Sequence, residues 1–234
     1  MRRALLLAVL LASPAVARRE VVIPVCAEPV KPVLFISPMG EPFRPKTGDD
    51  AAGDDPVRRW FDQADRNKDG KLTVGELMLD GDRFFATIDK DKSGELLPDE
   101  VAAYEQDVAP EIRLYQRRPE RKPDADGKPE DDRRQQQAKR KKPAPLPPGV
   151  DGAQGAGRYA FLNIPNPVAA ADRDINRAVT QQEFRAAAAE RFADLDPKQS
   201  KALTFDQLPK TPAQIMANFA CVQRLKDQAK EKRR

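Results

Sequence analysis

The chain has no histidine among its 234 residues and only two cysteines. Imidazole general bases, Ser-His and Cys-His nucleophile pairs and histidine metal ligands are therefore excluded. Two thiolates cannot complete a four-thiolate zinc site. Aromatic residues make up 6% of the chain while prolines number 22, a balance that predicts small cores joined by unstructured segments. Methionines number four, too few for a Met-rich groove that grips target helices. The apolar run Ala4 to Ala12 is too short to span a bilayer, and no later stretch is long enough.

That run follows Arg2 and Arg3 and precedes Ala15-Val16-Ala17, a small-x-small cleavage pattern. The expectation is a signal peptide over 1–17, cleaved after Ala17, and a periplasmic or secreted protein. Cleavage would remove two cations and lower the net charge from +4 to +2, so the high pI comes from clusters. The densest lies in 117–157, where Arg133, Arg134 and Lys139 to Lys142 mix with glutamines, prolines and glycines. This reads as a flexible linker or as a contact for an acidic partner. No aromatic residues interleave the cations, so nucleic acid is not expected.

Residues 65–76 read Asp-Arg-Asn-Lys-Asp-Gly-Lys-Leu-Thr-Val-Gly-Glu. Oxygen-bearing side chains stand at positions 1, 3, 5, 9 and 12, Gly at 6 and an apolar residue at 8. That is the pattern of an EF-hand calcium loop, in which a hard cation takes about six to eight oxygens. Asp65, Asn67 and Asp69 supply one oxygen each, Lys71 its carbonyl, Thr73 a water-mediated contact and Glu76 both carboxylate oxygens. Gly70 supplies a positive φ for the turn, and Leu72 points to the core. The pattern repeats at 89–100, with ligands Asp89, Asp91, Ser93, the Glu95 carbonyl and Glu100, turn residue Gly94 and inward Leu96.

A third copy, 172–183, offers Asp172, Asp174, Asn176 and Glu183, but Arg177 replaces the turn glycine. In a fourth, 196–207, Lys198, Lys201 and Gln207 stand at positions 3, 6 and 12, so a ligand, the turn glycine and the bidentate glutamate are lost. It reads as a loop kept to pair Leu203 with Val179. The first and second loops start 24 residues apart, as do the third and fourth, which marks an internal duplication. Two calcium ions are expected, with 172–183 a candidate for a third.

Helix signals flank the loops. Asp55-Pro56 is an N-cap with Pro at the first helical position, followed by apolar Val57, Trp60, Phe61 and Ala64 at helical spacing. Asp80-Gly81-Asp82 predicts the end of one helix and the cap of the next. Residues 18–54 carry prolines at 24, 29, 32, 38, 42 and 45 and cannot be helical. They form either a disordered arm or one that docks Phe35, Ile36, Met39 and Phe43 on the core. In an oxidising compartment Cys26 can pair with Cys221; otherwise each is a half-buried thiol.

The chain resembles bacterial secreted EF-hand proteins, which bind calcium and as a group are not enzymes. The short loop spacing also resembles lanmodulin, a periplasmic lanthanide binder. That family has Pro at loop position 2, which here occurs only as Pro197 of the fourth loop. The expected fold is all-α: a Pro-rich arm (18–54), an EF-hand pair (55–116), the linker (117–157), a degenerate EF-hand pair (158–223) and a basic tail (224–234). The expected function is calcium binding in a structural, sensing or buffering role. Alternatives are a calcium-stabilised scaffold for a cell-envelope partner, or a lanthanide binder. No catalytic residues are expected, because the clustered carboxylates are committed to the ions.

Overall fold

A computed structural model describes residues 24–51, 53–113 and 146–232. The expected signal peptide and residues 117–145 of the expected linker lie outside them. The described chain is mostly helical, with three two-stranded antiparallel ribbons.

Helix α1 (Pro56–Ala64) starts where the Asp55 carboxylate accepts from the Val57 and Arg58 N–H groups. It buries Val57, Trp60, Phe61 and Ala64, and its end leads into the first loop. Strand β3 (Lys71–Thr73) and helix α2 (Val74–Ile88) follow, joined by a capping box between Thr73 and Glu76. Strand β4 (Glu95–Leu96) and helix α3 (Pro98–Ala103) leave the second loop, and α3 runs into a π-helical turn over Tyr104–Val108. In the second half, β5 (Val179–Thr180), α4 (Gln181–Leu195), β6 (Ala202–Thr204) and α5 (Pro212–Glu231) repeat the order.

Two expectations fail together. Helix α2 does not break at Asp80-Gly81-Asp82 but runs through them as one 15-residue helix. Asp80 is buried and caps nothing. Its carboxylate accepts from Trp60 Nε1 at 3.1 Å and from the Gln63 amide and the Arg83 guanidinium. Gly81 costs about 1 kcal/mol of helix propensity relative to Ala. It lies at a close crossing, where a Cβ would sit 3.4 Å from Met39 Cγ and 3.6 Å from Phe184 Cδ1 of α4.

An unbroken helix of this length is about 22 Å long, so it holds the first and second loops at opposite ends. They cannot pair with each other, nor can the third and fourth loops at the ends of α4. The ribbons instead cross the halves. Strand β3 pairs with β6, setting Leu72 opposite Leu203, and β4 pairs with β5, setting Leu96 opposite Val179. The expected pairing of Leu203 with Val179 is therefore wrong. Helices α2 and α4 run antiparallel between two loop pairs, and one apolar core extends from Phe35 to Leu208. The units expected at 55–116 and 158–223 share that core rather than forming separate ones.

The arm, from residue 24 on, is ordered where disorder was one expectation. Strands β1 (Phe35–Ile36) and β2 (Pro42–Phe43) form a small hairpin. Its turn carries Met39, fully buried, into the crossing of α2 and α4. The Arg191 guanidinium of α4, also buried, donates to the carbonyls of Pro38 and Pro167 at 2.9 and 2.7 Å. Burial lowers its pKa to about 10, so it is charged at neutral pH. The Tyr104 hydroxyl donates to the Gly40 carbonyl at 2.7 Å. Further back, Cys26 and Cys221 form a disulfide with Cα atoms 5.9 Å apart, tying the arm to α5. The bond points to an oxidising compartment.

The linker ends earlier than residue 157. Gly155–Arg158 form a 3₁₀ turn whose first three residues are buried. At Gly155, φ is +52° and a Cβ would lie 2.2 Å from the Pro165 carbonyl oxygen, so only glycine fits. Among the described residues no helix is long and apolar enough to cross a membrane.

Candidate metal centres

Each of the four loops is built on one backbone frame. The position 1 carboxylate turns inward and accepts the N–H groups of positions 5 and 6. Asp65 takes Asp69 and Gly70, Asp89 takes Ser93 and Gly94, Asp172 takes Asn176 and Arg177, and Asp196 takes Ser200 and Lys201, at 2.7 to 3.2 Å. Position 4 is left-handed in every copy, at Lys68, Lys92, Ile175 and Gln199, with φ of 54° to 61°. So is position 6, at Gly70, Gly94, Arg177 and Lys201, with φ of 68° to 83°. The third and fourth loops thus keep the turn that glycine would adopt more cheaply.

Position 12 closes the frame by reaching back over the loop. Glu76 accepts the Thr73 N–H at 3.0 Å and the Asn67 N–H at 3.4 Å. Glu100 accepts those of Leu97 at 3.2 Å and Lys90 at 2.6 Å, and Glu183 those of Thr180 at 2.9 Å and Arg173 at 3.1 Å. In the fourth loop Gln207 makes the Thr204 contact through its amide oxygen, at 2.7 Å. In each copy position 12 is the third residue of the outgoing helical segment, so the side chain that closes the loop also belongs to the helix start.

Carboxylate oxygens of Asp89, Asp91 and Glu100 lie within 4.8 Å of one another, as do those of Asp172, Asp174 and Glu183. Asp89 and Glu100 are buried, while Asp91 is exposed. Around the second loop Ser93 Oγ lies 2.9 Å from the Glu95 carbonyl, which brings the position 5 and 7 oxygens together. In the first loop Asp65 and Glu76 are buried and Asn67 and Asp69 complete the rim, with Asn67 Nδ2 donating to Asp69 Oδ2 at 3.1 Å. The Lys71 carbonyl lies on β3 at position 7, and Thr73 Oγ1 sits 2.8 Å from Glu76 Oε2. Asn176 belongs to the third cluster, its Nδ2 on Asp174 Oδ2 at 2.8 Å.

Hydrogen bonding keeps several of these acids ionised. Asp91 is held below its ordinary pKa chiefly by its hydrogen bonds from Ser93, and Glu183 by the Thr180 N–H and hydroxyl. At Asp196 burial works the other way but is outweighed by the N–H groups of Ser200 and Lys201 and the Ser200 hydroxyl. Three like charges this close repel one another unless a cation sits among them. The donors are all oxygen, which suits a hard cation such as calcium and not a thiophilic metal. At its ligand positions the fourth loop keeps only Asp196 of the acids, with Lys198 and Lys201 beside it.

Two further residues matter that the motif does not mark. Arg191 anchors the arm, and its signal was present: it lies two turns after Phe184, on the same helical face as the buried stripe. Asp80 ties Trp60 of the incoming helix to α2, but in the sequence it resembles a helix stop.

A family profile described as EF hand matches residues 57–79, that is α1, the first loop and the start of α2. Neither the curated proteins nor the solved structures contain a match to this chain.

Proposed function

We propose that this protein binds calcium at three loops and uses the ions as structural pins, with no catalytic role. The reading is supported above all by the shared frame: an EF-hand match on the first loop, and acidic triads on the second and third that repeat its hydrogen bonds. Asp65, Asn67, Asp69, Thr73, Glu76 and the Lys71 carbonyl would hold one ion. Asp89, Asp91, Ser93, Glu100 and the Glu95 carbonyl would hold a second, and Asp172, Asp174, Asn176 and Glu183 a third.

The structural role, rather than sensing, is favoured by the arm. A sensor exposes an apolar groove between its helices when the ion binds. Here the crossing of α2 and α4 is already filled by Met39, and Phe35 and Ile36 are buried beside it. The ions would stiffen the two ends of a core whose middle the chain occupies itself. With three carboxylates per loop and lysines or arginines interspersed, affinities of ~10⁻⁵ to 10⁻³ M are expected.

Calorimetric titration with calcium tests this. The chain should take up three ions, and Glu76→Gln, Glu100→Gln and Glu183→Gln should each remove one. No saturable heat up to millimolar calcium would refute the reading. Competition with lanthanum in the same cell examines the lanthanide alternative: a modest preference, as trivalent ions show at ordinary calcium loops, rules out a selective lanthanide binder.

A further inference from the structure

Away from the loops, a cleft of about 570 Å³ opens between the arm, the first turn of α1 and the N-terminal half of α5. Its volume falls in the range of about 300–1,000 Å³ typical of small-molecule sites. Val25, Val33, Leu34, Val57, Ile215 and Ala217 give it apolar walls. The Cys26–Cys221 disulfide fastens the arm to α5, so two walls of the cleft are covalently held together.

Most polar side chains on the walls are already in use. Asp54 accepts from the Arg59 guanidinium at 2.8 Å and the Lys46 N–H at 2.8 Å. Asp55 caps α1, and Thr211 and Gln214 cap α5 through a reciprocal box. Asn218 accepts from the Cys26 N–H and donates to the Pro24 carbonyl, at 2.8 and 2.9 Å. The exceptions are the exposed Lys31 and Lys210, which line the cleft and join no ion pair among the described residues.

This distribution selects the occupant. A peptide would bring backbone N–H and C=O groups against walls whose side chains offer few free polar partners, and each group left unpaired weakens binding. An unbranched hydrocarbon chain brings none. A cationic head would meet only the Asp55 carboxylate, whose Oδ1 already holds the Val57 and Arg58 N–H groups, because Asp54 is paired with Arg59. An anionic head has two unpaired ammonium groups. We propose that the cleft binds a free amphipathic anion with a single alkyl chain, of the fatty-carboxylate class, its chain between the arm and α5 and its head on Lys31 and Lys210.

The test is titration of the full chain with dodecanoate, kept below its micelle concentration and followed by calorimetry. One equivalent should bind, with Kd of about 1–100 µM. Ala217→Phe, which fills the cleft, should abolish binding without altering calcium uptake. Lys31→Glu with Lys210→Glu should weaken it at least about tenfold. Both lysines are exposed, so that variant remains a valid test if Ala217→Phe misfolds. Dodecyltrimethylammonium should not bind. The proposal is overturned if dodecanoate does not saturate, if the cationic analogue binds equally, or if neither variant changes the isotherm. It is also overturned if the protein binds only phosphatidylglycerol vesicles, because that would place the affinity on a surface and not in the cleft.

Discussion

Exchanging the turn residue between loops should move stability by a calculable amount. Position 6 has nearly the same backbone in all four copies, with φ of 78° at Gly70, 83° at Gly94, 75° at Arg177 and 68° at Lys201. A Cβ at Gly70 or Gly94 would meet nothing within 4 Å, so a side chain there causes no collision. What remains is the backbone term. A residue with a Cβ pays roughly 1–2 kcal/mol in the left-handed region, less the 0.5–1 kcal/mol that glycine loses on folding relative to Ala. Gly94→Arg should therefore cost about 1 kcal/mol, and Arg177→Gly and Lys201→Gly should each gain a similar amount. Denaturant unfolding in saturating calcium reads the sum of folding and ion binding, so the answer does not depend on when the loop forms. Arg177→Ala keeps the strain and removes the charge, and separates the two contributions. A cost above about 3 kcal/mol for Gly94→Arg would mean a clash where the structure has open space, and no gain from Lys201→Gly would mean that the left-handed turn is not strained; either would refute the reasoning.

Three other outcomes are expected. Reducing the Cys26–Cys221 bond opens a loop of 195 residues, and on the chain-entropy model this lowers stability by at most about 5 kcal/mol, readable as a drop in melting temperature. Met39→Ala empties a fully buried site at the α2–α4 crossing and should cost about 2–5 kcal/mol, with limited proteolysis then cutting the arm first. Acid should loosen the arm. Burial works to raise the pKa of Glu111, but its pairing with Arg44 at 2.7 Å outweighs this and the net shift is downward from 4.5. Such a group stabilises the fold above its unfolded pKa and loses that contribution as pH falls through the lower, folded value. Stability should therefore decline below pH 4.5, and the decline should be shallower in Arg44→Gln when followed by circular dichroism.

The loops were legible because a loop frame of this kind is written within twelve consecutive residues, and the ribbons inherited their inward Leu72, Leu96, Val179 and Leu203 from the same pattern. The architecture around them was not. Asp80-Gly81-Asp82 has the composition of a helix stop, and only the surroundings turn it into a helix interior: Trp60, Gln63 and Arg83 satisfy the buried carboxylate, while Met39 and Phe184 use the space above Gly81. Once α2 is continuous, its length decides which loops can meet, so one misread turn changed the pairing of all four. Among the described residues of 18–54 there is no α-helix, only a 3₁₀ turn at Gly48–Ala51 beyond the last proline, but the prolines did not decide between a docked and a free arm. That choice rested on long-range partners, among them Arg191, Tyr104 and Tyr159, whose carbonyl accepts the Ile36 N–H at 3.0 Å. The cysteine pairing was undecidable for the same reason, since a sequence separation of 195 hides a Cα separation of 5.9 Å.

The central claim is that three loops of one shared frame hold ions and the fourth does not. Anomalous diffraction from crystals grown in saturating calcium tests it most directly. The account predicts three peaks, enclosed by Asp65 and Glu76, by Asp89 and Glu100, and by Asp172 and Glu183, with none between Asp196 and Gln207. Crystals lacking density at any of the first three loops, or showing an ion beside Lys198 and Lys201, would contradict it.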